Sequence, residues 1–317
     1  MTKLTRSETA QFLSQRDSFA IVTHRRPDGD TLGSAALLCL GLRQLGKDAY
    51  VLDNPETTEK YLPLLSGLTK ASADAQDTLV AVDVASANML GEHFSCLEGK
   101  ILLRIDHHGS ATSFTDFELV DANAAACGEV IYDVLQEMGA TLDTPMATAL
   151  YTAVSTDTGC FRYANTTANT LRVAADCLAA GADAFSMNQL YFETNSLARL
   201  RLQGWMVENA LFLQDGKVVI CPLPRAKELE LGLTEDDLEN ISDFPRSIAG
   251  VKIAATLRQE PDGRIKMSVR AVPGCDAAAI CQKFGGGGHK GAAGASMDMS
   301  MDEAVAAVAN AIPKLDN

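Results

Sequence analysis

Ile101-Leu102-Leu103-Arg104-Ile105-Asp106-His107-His108-Gly109-Ser110 changes character halfway along. Its first half, rich in Ile and Leu, predicts a buried strand. Where that strand ends stand an acid, two imidazoles and a glycine turn. In open parallel α/β sheets the carboxyl ends of strands are where ligands bind. Asp and His are costly to bury without a partner, and a metal ion is the usual one. The plainer alternative is a polar loop that happens to hold two histidines. The choice rests on whether other strand ends carry matching groups.

Three do. Residues 19–22 predict a strand, followed by Thr23-His24-Arg25-Arg26-Pro27-Asp28-Gly29-Asp30-Thr31-Leu32-Gly33-Ser34 and an apolar helix over 35–45. Asp28 and Asp30 flank a glycine, so a bent backbone can aim both carboxylates at a common centre. Pro27 stiffens the approach, and Gly33 with Ser34 allows close packing at the helix start, where N–H groups favour anions. An Asx-rich turn with Asp30 as helix N-cap accounts for one aspartate, but not for His24 and Asp28 as well. Residues 78–82 form a second apolar strand that ends at Asp83. A helix over 145–154 leads into a glycine-containing turn that holds Asp157. Helices over 5–15, 124–138 and 168–180, with strands over 49–52 and 117–120, complete an alternation that predicts a parallel sheet with helices on both faces.

Beyond this the pattern shifts. Residues 196–212 read as a helix joining two domains. Strands follow over 217–221, 251–257 and 264–270, the last two forming a hairpin across Pro261-Asp262-Gly263. Arg264, Lys266, Ser268 and Arg270 then share one face. The run Phe284-Gly285-Gly286-Gly287-Gly288-His289-Lys290-Gly291 reads as a linker or as backbone N–H groups closing around an anion. Its framing by Phe284 and His289 favours the anion site. A closing amphipathic helix covers 301–312. The expected organisation is an α/β domain over 1–190, a helical linker over 191–215 and a smaller α/β domain over 216–317.

Composition narrows the chemistry. A net charge of −14 argues against binding long duplex nucleic acid, which needs many phosphate contacts. Eight cysteines without a C-x-x-C pair suit neither a zinc ribbon nor a disulfide framework, and fit a reducing cytoplasm. No apolar run approaches the ~20 residues of a membrane span, and residues 1–20 are polar and mixed in charge, unlike the apolar core of a signal peptide. Four carboxylates, on Asp28, Asp30, Asp83 and Asp157, cannot sit together ionised without cations. Two divalent ions would offset the repulsion. Mixed carboxylate and imidazole donors suit Mn2+, with Mg2+ or Fe2+ as alternatives. Such a pair activates water and stabilises both oxygens of a phosphoester displacement.

Thr23-His24-x-x-Pro27-Asp28-x-Asp30-x-x-Gly33-Ser34, Val82-Asp83, Asp106-His107-His108 and Asp157-Thr158-Gly159 together resemble the four motifs of the DHH phosphoesterase superfamily. Ser268-Val269-Arg270 and Gly285-Gly286-Gly287-Gly288-His289-x-x-Ala292-Ala293-Gly294 resemble its DHH-associated domain. Length and domain pair are most similar to the NrnA-type nanoRNase/pAp phosphatase branch, close to the soluble cyclic-di-AMP phosphodiesterases. The resemblance implies that His24, Asp28 and Asp83 hold one metal ion and Asp30, Asp83, His107 and Asp157 the other. It implies that Asp106 orients His107, that His108 lies near the scissile phosphate, and that the site occupies the cleft between the domains. Arg270, Gly286, Gly287, Gly288 and His289 would grip a terminal phosphate of the substrate. Where the family commonly has Ser-Leu-Arg-Ser, this chain has Ala271 at the last position.

The implied substrates are short oligonucleotides (nanoRNA) and 3′-phosphoadenosine 5′-phosphate (pAp), with cyclic-di-AMP or linear pApA as the alternative. A homodimer is a further implication of the family. A nucleotide sensor with a degenerate site and a pyrophosphatase or polyphosphatase are the rival readings.

Overall fold

The computed structural model describes residues 1–109 and 112–315; Ser110, the last residue of the stretch quoted first, lies outside the described residues. Two compact units divide the chain, Met1–Thr194 and Asn195–Asn317. The first is built from β1 (Thr2–Lys3), α1 (Arg6–Ser14), β2 (Ser18–Val22), α2 (Gly29–Gln44), β3 (Asp48–Leu52), β4 (Thr69–Lys70) and β5 (Thr78–Val82). It continues through β6 (Leu103–Asp106), β7 (Phe117–Val120), α3 (Cys127–Glu137), α4 (Thr144–Asp157), α5 (Ala168–Ala179) and α6 (Ala184–Asn188).

Its seven strands run in the order β1-β7-β6-β5-β2-β3-β4, and every pair is parallel. From β2 the chain winds outward to β3 and β4, then returns to the other side of β2 as β5. The strand order therefore reverses between β2 and β5, the place where open α/β sheets bind ligands. Register keeps the carboxyl ends level there: Val22 pairs with Ala81, and Val82 with Ile105.

The α-helices do not lie on both faces. Phe19, Ile21, Val51, Val80, Val82, Leu103 and Ile105 share one core with residues of α1 to α6. On the other face Ala20, Val22, Tyr50, Leu52 and Ala81 pack under Leu90, Phe94 and Ile101. That cover comes from 3-10 turns at Ala87–Met89 and Glu92–Leu97. The segment between β5 and β6 is interrupted by Gly91 and Gly99, both at positive φ, which breaks it into single turns.

Two helix limits differ from the sequence expectation. Helix α2 starts at Gly29 rather than at residue 35, with Asp28 as N-cap, so Asp30 stands in the first turn. Helix α4 runs on to Asp157, and the glycine turn begins only after it. Both extensions follow from packing of α2 on α4. A Cβ at Gly33 would stand 2.6 Å from the Ala149 carbonyl oxygen and 2.7 Å from the Ala153 nitrogen, so only glycine lets these backbones approach.

The second unit comprises α7 (Leu197–Glu208), β8 (Leu211–Leu213), β9 (Val218–Leu223), α8 (Arg225–Leu231), α9 (Glu235–Leu238), β10 (Ile253–Gln259) and β11 (Ile265–Ala271). After these come α10 (Ala277–Gln282), β12 (Gly287–Gly288), β13 (Ala292–Met297) and α11 (Met301–Ala311). The sheet order is β12-β13-β11-β10-β9-β8, with β9 and β10 parallel and the rest antiparallel. Ile265, Met267 and Val269 face a core with Ile280 and Val308, which leaves Lys266, Ser268 and Arg270 on the opposite face. Arg264 stands outside this row; it lies in the turn and pairs with Asp262.

Leu202 and Met206 of α7 are buried with Val219, Cys221 and Leu223. Residues 211–212 are strand, not helix. Gln214, Asp215 and Gly216, all at positive φ, turn the chain so that Phe212 pairs with Val219. No helix among the described residues is long and apolar enough to cross a membrane.

Candidate active site

Three neighbouring strands deliver the site. Just beyond their carboxyl ends stand His24 after β2, Asp83 after β5, and His107 and His108 after β6. Asp83 takes the left-handed conformation (φ +57°), a strained state that for a non-glycine residue persists only when the surroundings enforce it. Its nitrogen is held by the Ile105 carbonyl at 2.9 Å, and Thr31 Oγ1 donates to Asp83 Oδ2 at 2.7 Å.

Around this carboxylate three sets of donors converge: His24, Asp28 and Asp83; Asp83, His107 and His108; and Asp30, His107 and Asp157. In each set one donor atom per residue lies within 4.8 Å of the others. His24 Nε2 is 3.8 Å from Asp83 Oδ2. His107 Nε2 is 3.5 Å from Asp30 Oδ2, 3.5 Å from Asp83 Oδ1 and 3.8 Å from Asp157 Oδ2. The far ring nitrogen of each histidine is already engaged. His24 Nδ1 lies 2.6 Å from the Arg25 carbonyl and His107 Nδ1 3.2 Å from the Ala124 carbonyl. With Nδ1 protonated in each case, both rings turn an Nε2 lone pair toward the carboxylates.

Asp30 is held from another element. The amides of Cys127 and Gly128, at the start of α3, donate to its two oxygens at 2.7 and 3.1 Å, and Ser34 Oγ adds a bond at 2.9 Å. A carboxylate from α2 thus caps the N-terminus of α3. Asp106 does not orient the His107 ring, as the resemblance implied. Its Oδ1 accepts from His108 Nδ1 at 2.8 Å and from the backbone nitrogens of His107 and His108 at 2.8 and 3.2 Å. The ring that Asp106 fixes is that of His108, because the turn after β6 folds back over the acid.

Burial and like charge act together on the carboxylates of the cluster. Burial, then the charges of Asp30 and Asp28, push the Asp83 carboxyl well above its ordinary range. Burial likewise raises Asp30, and burial with the Asp30 charge pushes Asp157 up to about 7. Asp83 Oδ1 is buried and has no hydrogen-bond donor among the described residues. An orphaned carboxylate oxygen amid imidazole nitrogens and further acids fits a divalent cation. Burial and the neighbouring acids push the Cys127 thiol well up, so it offers no thiolate to select zinc.

In the second unit Arg270 pairs with Asp243. Together with Thr256, Arg258, Lys266 and Ser268 it lines a hollow of about 210 Å³. The glycine run is more structured than a linker. A Cβ at Gly286 would stand 2.1 Å from the Gly294 carbonyl, and one at Gly288 2.7 Å from that of Ala292, whereas one at Gly287 would meet nothing within 4 Å. The amides of Gly286 and His289 donate to the carbonyls of Cys281 and Ala292, so neither is free to hold an anion.

Several contributors escaped the sequence reading. Thr31 had a signal, standing three residues after an N-cap aspartate. Asn165, whose Nδ2 ties the carbonyls of Ala125 and Asp157 together at 3.1 Å each, had none. Arg104 looked like any strand residue.

A parallel sheet whose switch point gathers imidazoles and buried acids defines an α/β protein with a candidate divalent-metal centre. The family model described as the DHH family, N-terminal domain, matches residues 18–154, and the DHHA1 domain model matches residues 215–314. The chain is 34% identical over 299 residues to the bifunctional oligoribonuclease and PAP phosphatase NrnA of Thermus thermophilus, covering 92% of this chain and 88% of that one. It therefore belongs to the DHH family, with a DHHA1 domain following. A protein of the same description from Bacillus subtilis is 28% identical over 305 residues, with 94% and 95% covered. The crystal structure of an exopolyphosphatase-related protein from Bacteroides fragilis shares the fold, with a TM-score of 0.87, 23% identity and 96% and 94% covered.

Proposed function

We propose that the protein is a hydrolase of phosphoester bonds that uses two divalent ions, Mn2+ first among them. On this reading it cleaves short oligoribonucleotides and removes phosphate from pAp. The observation that carries the reading is the gathering of three sets of donors, two of which share Asp83 and two His107, around Asp83 Oδ1, a buried carboxylate oxygen with no hydrogen-bond donor among the described residues. The relatives named for these two activities, matched over most of both chains, support the choice of substrate.

In this reading His24, Asp28 and Asp83 hold one ion, and Asp30, His107 and Asp157, with Asp83 shared, hold the other. When bound, such a pair lowers the pKa of water and neutralises charge that builds on phosphoryl oxygens. The chain's own residues do the rest. Asp83, locked in its left-handed turn, aims one oxygen at each set. Asp30, fastened to the start of α3, keeps α2 and α3 in step. Burial opposes a charge on His108, yet its bond to Asp106 wins and raises its pKa. With Nδ1 on Asp106, His108 holds a proton that its Nε2 can give to a leaving oxygen. Arg270 and His289 of the second unit are assigned to a substrate phosphate, and Gly287, like Gly285, has room beside it.

A panel of a 5′-labelled dinucleotide, pAp and cyclic-di-AMP, assayed with Mn2+ and with Mg2+, tests this. Turnover of the dinucleotide and pAp supports the reading. Preference for cyclic-di-AMP moves the substrate to the cyclic class, and no turnover of any of the three sinks the catalytic reading.

A further inference from the structure

Behind the donors lies a buried cation that the reaction does not use. Arg104 of β6 is 1% exposed. One arm, Nη2, pairs with Glu118, its cross-strand partner on β7. The other arm turns toward the site. Arg104 Nη1 donates to the Ala85 carbonyl at 3.0 Å and to that of Thr112 at 3.3 Å, with the Val84 carbonyl at 3.5 Å. The same Nη1 lies 3.8 Å from Asp106 Oδ2, a buried oxygen with no hydrogen-bond donor among the described residues.

These contacts join two pieces of chain. Val84 and Ala85 directly follow Asp83, the strained residue at the centre of the donor sets. Thr112 follows the turn that carries His107 and His108, and its amide also donates to the Ala85 carbonyl at 2.8 Å. A buried guanidinium is expensive, and Glu118 alone would balance its charge. An ion pair that served stability only would not need the second arm spread over carbonyls from both loops. The planar fork of arginine can serve a carboxylate and carbonyls at once; the point charge of lysine cannot.

We propose that Arg104 is a positioning residue that clamps the backbone at Val84 and Ala85, after Asp83, to that at Thr112, and so sets the spacing of the donors shared by the two ions. The inference rests on the metal-centre reading above. It concerns this chain's own residues, and its first readout is metal affinity rather than turnover.

The test pairs two variants with calorimetric Mn2+ titration, well below each variant's thermal transition. Arg104→Met combined with Glu118→Gln removes the clamp without leaving a buried unpaired carboxylate. Arg104→Lys keeps a charge beside Glu118 and Asp106 but loses the fork. Clamping predicts Mn2+ binding weaker by about tenfold or more in both, the range seen when groups behind metal ligands are lost. At saturating Mn2+, kcat should fall while KM for the dinucleotide stays put. Folded variants with wild-type Mn2+ affinity, or full recovery of affinity by Lys, overturn the clamp. If the double variant does not fold, Arg104→Lys alone decides. A wild-type protein that binds no divalent cation would instead overturn the metal reading.

Discussion

Thr31 Oγ1 donates to one oxygen of Asp83 at 2.7 Å, while the other, Oδ1, has no donor among the described residues and lies 3.5 Å from both His107 Nε2 and His108 Nδ1. The threonine fixes the carboxylate plane and leaves Oδ1 facing the imidazoles of His107 and His108. Asp83→Asn should therefore remove more than Thr31→Val does. Loss of a group behind a ligand costs about 10- to 100-fold in metal affinity, which is the expectation for Thr31→Val. Asp83→Asn should exceed that range and abolish turnover with Mn2+. Metal titration and single-turnover assays of both variants check the order; equal effects would put Asp83 outside the centre.

Metal removal should make stability depend on pH in a particular direction. In the metal-free fold Asp157 titrates near about 7 instead of its ordinary 3.8, and Asp30 and Asp83 are raised as well. Across that window the folded state binds more protons than the unfolded chain, so stability falls as pH rises from about 4 to about 7. Metal binding requires the same groups deprotonated, so affinity weakens as pH falls through about 7. In chelator the thermal transition should be higher at about pH 5 than at about pH 8, and added Mn2+ should raise it far more at the higher pH. Circular dichroism melts at both values, with and without Mn2+, read this directly.

Gly33→Ala should destabilise the first unit by about 1–3 kcal/mol. Its new methyl would meet backbone atoms of α4 at 2.6 and 2.7 Å, which cannot yield without moving the helices apart. Because α2 carries Asp30 and α4 carries Asp157, Mn2+ affinity should fall with the melting temperature. An unchanged melt would mean that the helices pack more loosely than described.

The glycine run separates packing from binding. Gly286→Ala should destabilise the second unit, since its Cβ would meet the Gly294 carbonyl at 2.1 Å. Gly287→Ala meets nothing and should leave the melt unchanged. If this run faces a substrate phosphate, Gly287→Ala should raise KM for pAp a few-fold. Wild-type kinetics for Gly287→Ala would confine the run to a packing role.

His108→Asn should lower kcat by about 10² to 10⁴, the usual share of a general acid, while Mn2+ affinity stays within about twofold of wild type. Because His108 also stands in one of the donor sets, a matching loss of affinity would make it a ligand instead. Titration and steady-state kinetics on one preparation settle which.

The residues that gather in the candidate site were legible from the sequence pattern. Apolar runs that stop at His24, Asp83 and Asp106-His107-His108 read as strand ends because burying an acid or imidazole in mid-strand is costly, and their alternation with helices gave the parallel sheet. Local pattern misjudged where α2 begins and what covers the second face of the sheet. Glycine and aspartate there carry turn signals that helix packing on α4 overrides, and single 3-10 turns leave no periodicity to read. Only the tertiary structure decided that the order reverses between β2 and β5, that Asp106 serves His108 rather than His107, and that Arg104 and Asn165 stand behind the site. Those relationships join residues far apart in the chain, and no local spacing encodes the direction in which a buried side chain finds its partner.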